Sequence, residues 1–376
     1  MKKDLSGFID SGATLKSGSG KWSEIKESLS ESTDDLIIIT SKSCKKFISN
    51  IPSKFTLVIK EEPSLNLIDN YFDQIYKIIN KTHEITYIAL GGGSVIDTAK
   101  ILSLMIANNI GSSKEAIDKS NNNNISEKSK IICIPSTAGT GAEITPFSTI
   151  WDKKNGLKYS IITSKINREI ILDPEISISL PEEITISTGL DSLCQILEST
   201  WSKKANKKSL SAASLGFEYL NKNLNNVISN PSDIESRQYM LFASFLSGVS
   251  ISISNTTLCH SISYPLTSIL NVPHGLACAL TLIEVIRFNS LEKEKFLKNT
   301  LKVANVESSE NLVKKISLLL ENIKFRDAIQ PFIIKIEKNI DKLLPLTIST
   351  RASNNPVNAT ISDIEKILKN SLNYYN

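Results

Sequence analysis

A chain of 376 residues with 41% apolar side chains can fill two cores, so it reads as a globular protein of two domains. Its 43 lysines and arginines stand against 39 acidic residues, and the resulting net charge of +4 excludes both a nucleic-acid footprint and a membrane-seeking basic face. The cysteines at 44, 133, 194, 259 and 278 form no CxxC pair and lie mostly in apolar runs, where reduced thiols act as small hydrophobes. No leader-like apolar core follows the first lysines and no apolar run reaches about 18 residues, so the expected location is cytoplasmic.

The first half alternates short β-branched runs with helical patterns. DLIIIT (35 to 40), FTLVIK (55 to 60), EITYIAL (84 to 90), IICIPS (131 to 136) and EIILD (169 to 173) are expected strands, and their alternation with helices predicts βαβ units in a mostly parallel sheet. DKSNNNNISEKS (118 to 129) reads as a polar surface loop. After Leu180 and Pro181 the apolar residues recur at three and four, as in ISTGLDSLCQILESTWS, so this half is expected to be all helical. Residues 1–180 then form an α/β dinucleotide-binding domain and 181–376 a helical metal- and substrate-binding domain, with a cleft between them as the expected ligand site.

The stretch EITYIAL-GGGS-VIDTAK is a strand, a glycine turn and a helix starting near Ser94. Glycines let a pyrophosphate approach the backbone, and the helix N-terminus stabilises its charge; taken alone, GGGS equally suits a tight turn. A second loop, PSTAGTGAEIT (135 to 145), follows the strand IICI and offers the hydroxyls of Thr137 and Thr140, while Gly139 and Gly141 would admit a cofactor closely. Two such loops at the carboxyl ends of parallel strands meet where α/β folds bind nucleotides. The strand DLIIIT ends in Ser41 and Lys42 with no carboxylate to bond ribose hydroxyls, which favours NADPH over NADH; a solvated Ser-Lys turn is as simple a reading.

Of the three histidines, His83 lies in a charged stretch and reads as a surface residue. His260 and His274 are fourteen positions apart, about 21 Å along one continuous helix and too far for one ion, unless Pro265 and Pro273 break the run and let two segments converge. Asp191 and Gln195, four apart, share a helix face. Together they offer two imidazoles, a carboxylate and an amide oxygen to a divalent cation, a set harder than one with a third imidazole and inclined to iron or manganese without excluding zinc. Each histidine alone also fits a packed core position.

These ordered motifs, GGGSVIDTAK, PSTAGTGAEITPF, LDPEI, LPEE, TGLDSLCQILES and the segment ending NVPHG, resemble those of the iron-dependent, group III alcohol dehydrogenases over nearly the whole chain. The resemblance implies a Rossmann-like N-terminal domain, a helical C-terminal domain, NAD(P) on the first and a divalent metal on the second, with homodimers common. By position, Asp191, His260 and His274 match metal ligands. Gly92, Gly93 and Ser94 match the pyrophosphate loop, and Asp97, Thr137, Thr140 and Lys158 match residues lining the cofactor. Gln195 stands where the family usually has a histidine, and Tyr264 where a further active-site histidine is common. Gln195 together with TPFSTIWD and the late NNP turn is similar to the phosphonoacetaldehyde reductase branch, which serves phosphonate biosynthesis.

The resemblance implies a metal-dependent reduction of a small aldehyde by NADPH or NADH, with Fe2+ as the metal and Zn2+ or Mn2+ as alternatives. Tyr264, water or the cofactor ribose would supply the proton. A phosphonate dianion needs donors and positive charge, and of the five arginines Arg287 and Arg351 are the candidates. Another alcohol or polyol dehydrogenase of the same architecture, or a nucleotide-binding protein with a decayed metal site, are the alternatives.

Overall fold

The computed structural model describes every residue except 1–4, 10–11, 32–33, 80–83, 123–128, 156, 165 and 293. His83 lies outside the described residues, as does the middle of the 118–129 segment; its start, through Asn121, belongs to the helix Ser113–Asn121 rather than to a loop.

The described residues divide into two units, one comprising 1–137 and 142–179, the other 138–141 and 180–376. The first unit is built on a six-stranded parallel sheet of order β1-β8-β5-β4-β2-β3. Its strands are β1 (Ala13–Ser17), β2 (Asp35–Ser41), β3 (Phe55–Ile59), β4 (Ile85–Gly91), β5 (Lys130–Pro135) and β8 (Asn167–Leu172). A separate antiparallel hairpin joins β6 (Phe147–Asp152) to β7 (Leu157–Ile162). All five expected strands are in the sheet; β1 and the two hairpin strands, FSTIWD and LKYSII, are not among those expected.

The run Leu36-Ile37-Ile38-Ile39 shows why the sheet is buried on both faces. Ile37 and Ile39 join one apolar core, with the helix Gly93–Ala107, while Leu36 and Ile38 join another, with Trp22 and Ile25. Successive side chains in a strand point to opposite faces, so a continuous apolar run requires cover on each, as parallel sheets have. Each such side chain contributes about 1.5–3 kcal/mol on burial. From β2 the chain steps outward to β3, then crosses back to β4 on the other side. The carboxyl ends of β2 and β4 therefore flank the point where strand order reverses, the usual nucleotide position.

The second unit is helical. Its helix Glu182–Trp201 is buried at every residue from Gly189 to Trp201, polar positions included, because other helices surround it. Lys207–Ser229, Ile234–Ser254, Leu258–Leu270 and His274–Leu280 follow. Pro265 does not break the run as expected; it sits inside Leu258–Leu270, where it costs the helix one backbone hydrogen bond. The reversal is made instead by Asn271, left-handed at φ 55°, and by Pro273, which precedes the first residue of the next helix. Among the described residues no single helix is long and apolar enough to cross a membrane.

Candidate metal centre and cofactor loop

In the α/β unit the turn after β4 leads straight into the helix Gly93–Ala107, whose first N–H groups have no intrahelical carbonyl. A Cβ at Gly91 would stand 2.4 Å from Val95 Cγ2, so this turn closes only on glycine. Gly92 packs on Thr137, whose Oγ1 would lie 3.4 Å from a Cβ there. The ends of β4 and β5 are level, Gly91 opposite Pro135, and the Ser136 N–H donates to Gly91 O at 2.9 Å. Gly92, Gly93, Ser94 and Thr137 thus share one edge with Ser41, whose hydroxyl meets that of Ser43 at 3.0 Å, and with the exposed Lys42. A narrow glycine turn at a helix N-terminus fits a pyrophosphate.

Asp97 accepts from the Thr149 N–H at 3.0 Å and stands 3.6 Å from the Lys100 ammonium, so it ties the hairpin to the helix. Lys158 lies on that hairpin with its ammonium 5.4 Å from the Trp151 ring centroid. A cavity of about 750 Å³ opens at the opposite, amino-terminal edge of the sheet, beside Thr14, Tyr87 and Lys130, away from these loops.

Gly139 and Gly141 have a role that sequence spacing does not reveal. A Cβ on Gly139 would stand 2.7 Å from Thr188 Cβ, and one on Gly141 2.6 Å from Gly248 Cα. These glycines let the segment 138–141, which carries Thr140, lie against two helices of the second unit, and the Ser192 hydroxyl donates to Gly139 O at 2.9 Å. Close helix packing requires them.

The helical unit brings Asp191, His260 and His274 together. The imidazole centroids are 5.4 Å apart at an interplanar angle of 75°. Asp191 Oδ1 lies 3.2 Å from His260 Nε2 and 3.9 Å from His274 Nε2. Gly275 makes this possible: a Cβ there would fall 1.7 Å from Ser187 O and 2.9 Å from Asp191 N, so only glycine allows the two helices to touch beside the ligands.

Two residues of this centre were not among the expected ligands. Glu198, fully buried one turn beyond Gln195, faces His260 Nδ1 with Oε2 and accepts on Oε1 from the N–H groups of Thr257 (3.1 Å) and Cys259 (2.8 Å). A carboxylate on one ring nitrogen fixes the tautomer and aims the other nitrogen at the centre. Its seven-residue spacing from Asp191 on a helix was the available signal. Cys278, four residues after His274, has Sγ 3.8 Å from His274 Nε2. One donor atom each from Asp191, His260, His274 and Cys278 lies within 4.8 Å of the others.

Gln195 lies beside Asp191. Its carbonyl oxygen accepts from the Ser247 hydroxyl at 2.8 Å, and its amide nitrogen donates to Asp191 Oδ1 at 3.1 Å. The same Ser247 hydroxyl also lies 2.7 Å from Ser244 O, so its one proton is shared between the two acceptors.

Burial lowers the His260 pKa, yet the thiolate of Cys278 and the carboxylates of Glu198 and Asp191 outweigh it and hold the imidazole well above its ordinary value. Burial raises the Cys278 thiol, but the two imidazoles bring it down to about 7. Cys259, buried without such neighbours, is pushed well above the usual thiol range. The donor spacing would suit a cation: an ion held tetrahedrally by nitrogen, oxygen and sulfur sets neighbouring donors about 3.3–3.7 Å apart, against 3.2–3.9 Å for the pairs Asp191 with His260, Asp191 with His274 and His274 with Cys278.

Tyr264 stacks on His274 with centroids 6.2 Å apart and planes within 10°. Arg287 is engaged by Glu284, three residues before it. Arg351 donates its backbone N–H to the Ser349 hydroxyl at 3.1 Å, which meets Ser261, next to His260, at 2.7 Å. In the adjoining NNP turn, Asn354 donates to Ser202 Oγ at 2.9 Å and Ser254 O at 2.7 Å, a buried anchor for the loop.

Residues 13–174 match the sequence profile of the iron-containing alcohol dehydrogenases, and residues 185–372 that of the C-terminal region of the Fe-containing alcohol dehydrogenase family. The NAD-dependent methanol dehydrogenase of Bacillus methanolicus is 29% identical over 297 residues, 76% of each chain. The phosphonoacetaldehyde reductase of Streptomyces viridochromogenes is 33% identical over 213 residues, 54% of this chain and 52% of that protein. Among solved structures, the sulfoacetaldehyde reductase of Bifidobacterium kashiwanohense in complex with NAD+ is similar with a TM-score of 0.80 at 26% identity, over 97% of this chain and 98% of that one. An iron-containing alcohol dehydrogenase from Thermococcus thioreducens shares the fold with a TM-score of 0.83 at 21% identity, over 97% and 99% of the two chains. With both domain profiles matched in order, the chain belongs to the iron-containing alcohol dehydrogenase family, NAD(P)-dependent oxidoreductases of small alcohols and aldehydes.

Proposed function

We propose that the chain reduces phosphonoacetaldehyde to 2-hydroxyethylphosphonate with NADPH, aldehyde, NADPH and a proton giving alcohol and NADP+. The observation that carries the reaction is the buried group of Asp191, His260 and His274 with Glu198 behind it. A divalent cation, when bound there, supplies Lewis acidity toward a carbonyl oxygen. Asp191 contributes the negative charge of the site, Glu198 keeps His260 Nε2 turned inward, and Gln195 orients Asp191 through its amide N–H. The product oxygen takes its proton from Tyr264, beside His274, or from water or the cofactor ribose.

Support for an anionic substrate comes from two relatives, one a phosphonoacetaldehyde reductase and the other a sulfoacetaldehyde reductase, both named for an acetaldehyde with an acidic head group. Arg351, whose backbone N–H is linked through Ser349 to the helix of His260, is the proposed cation for that group. The exposed Lys42 at the end of β2, where no carboxylate stands, supports NADPH. A cytoplasmic homodimer serving phosphonate biosynthesis completes the proposal.

The test is NADPH oxidation over a panel of phosphonoacetaldehyde, sulfoacetaldehyde, propionaldehyde and butyraldehyde with iron, manganese or zinc restored. Phosphonoacetaldehyde should exceed the uncharged aldehydes in kcat/KM by roughly a hundredfold, about what a charge-assisted hydrogen bond of 1.5–3 kcal/mol supplies. Asp191→Asn and His260→Ala should abolish turnover with NADPH binding intact. Full activity of either variant in metal-free buffer defeats the mechanism, and equal rates on all four aldehydes defeat the substrate assignment.

A further inference from the structure

We infer that Cys278 is the fourth metal ligand, standing in for the Gln195 amide, and that the resulting Asp–His–His–Cys set selects zinc over iron and manganese; this rests on the metal-dependent reading above. Gln195 is unsuited to the task as it sits. The atom it turns toward Asp191, 3.1 Å from Oδ1, is the amide nitrogen, and an NH2 has no lone pair to give a cation.

Cys278 has the opposite placement. It lies one turn after His274 on the helix His274–Leu280, so both side chains leave the same face. Its sulfur is 3.8 Å from His274 Nε2 and within 4.8 Å of the donor atoms of Asp191 and His260. Cys194 and Cys259 are equally buried, yet among the described residues only Cys278 joins the donor group. The Gly275 contact with Ser187 holds this helix against the one bearing Asp191, which places the thiol and the carboxylate at the same centre.

The consequence is a change of metal. An amide oxygen makes a hard site suited to iron or manganese, whereas a thiolate with two imidazoles and one carboxylate is the borderline-soft set that zinc favours. On binding, a sulfur–metal bond forms, the S–H bond breaks, and its proton leaves to solvent.

Full-length protein stripped with chelator and titrated with Co2+ tests this without relying on turnover. The wild type should show a near-ultraviolet sulfur-to-cobalt charge-transfer band. Cys278→Ser should bind Co2+ without that band, and Gln195→Ala should retain it. After equilibration with equimolar Zn2+, Fe2+ and Mn2+ under anaerobic conditions, the wild type should hold zinc, and Cys278→Ser should lose at least tenfold of its preference for zinc over manganese. X-ray absorption of the wild-type zinc protein, which needs no variant, should find one sulfur at about 2.3 Å. Cobalt bound with no sulfur band, or a zinc shell of nitrogen and oxygen alone, overturns the assignment of Cys278 while leaving the metal-dependent reductase standing. Failure of both metals to bind removes the metal centre itself, and this inference with it.

Discussion

Glu198 holds His260 twice, with one carboxylate oxygen on the ring Nδ1 and the other within 3.4 Å of the same residue's backbone N–H. Because Oε1 also takes the N–H groups of Thr257 and Cys259, one buried side chain anchors the start of the helix Leu258–Leu270 and aims its imidazole.

Glu198→Gln should therefore weaken metal binding by roughly 10–100-fold, the usual cost of losing such a partner. The amide still accepts the backbone N–H groups on its oxygen, so the fold should persist. Isothermal titration with Zn2+, alongside far-ultraviolet circular dichroism, reads both effects; unchanged affinity would count against a positioning role.

Gly275→Ala should empty the metal centre. The added carbon would meet Ser187 O at 1.7 Å, and the helix must retreat by roughly 1 Å or more to clear it. His274 and Cys278 move with that helix. Metal content by mass spectrometry should fall to near zero, while fluorescence titration still detects NADPH binding through the glycine turn of the other unit.

Arg351→Met should raise KM for phosphonoacetaldehyde by roughly 10–100-fold through loss of a charge-assisted contact, with propionaldehyde unaffected. Arg287→Met should change neither value by more than about twofold, since a partly exposed pair of this kind is worth only about 0–1 kcal/mol. Steady-state kinetics on the two substrates separates a recognition role from a structural one.

Lys42→Asp should reverse the cofactor preference. It places a carboxylate at the end of β2, where it can accept ribose hydroxyls and repel a 2′-phosphate. The expected change in the NADPH to NADH ratio of kcat/KM is roughly a hundredfold; a ratio that stays fixed means the lysine is merely solvated.

Glu143 carries the pH dependence that is easiest to isolate. Burial pushes its carboxyl up to about 7 in the folded chain, against 4.5 as the ordinary value. A folded pKa above the unfolded one gives a contribution that is fully present below pH 4.5 and is lost as the pH rises through 7. The loss is on the order of 3 kcal/mol. Lys100, drawn down to about 8 by burial, regains stability only above that pH and does not compensate within the window. Glu143→Gln should thus match the wild type near pH 4.5 and melt several degrees higher at pH 8, by differential scanning calorimetry. Parallel melting curves at both pH values would contradict it.

Local chemistry determined much of this protein in advance. The apolar runs of β2, β4 and β5 could be buried only in a sheet covered on both faces, and GGGS after β4 marked a tight entry to a helix. Asp191 and the two histidines were legible as a candidate set because a carboxylate and imidazoles have few uses at apolar helical positions. Tertiary packing decided the rest. Whether residues 260 and 274 meet depends on Asn271 adopting a left-handed backbone, which spacing does not encode. Gly139, Gly141 and Gly275 are needed for helices that approach from distant sequence, so their reason is invisible along the chain. Cys278 joins the donor group of Asp191 and the two histidines for the same cause, because its helix is set against theirs by contacts from distant sequence.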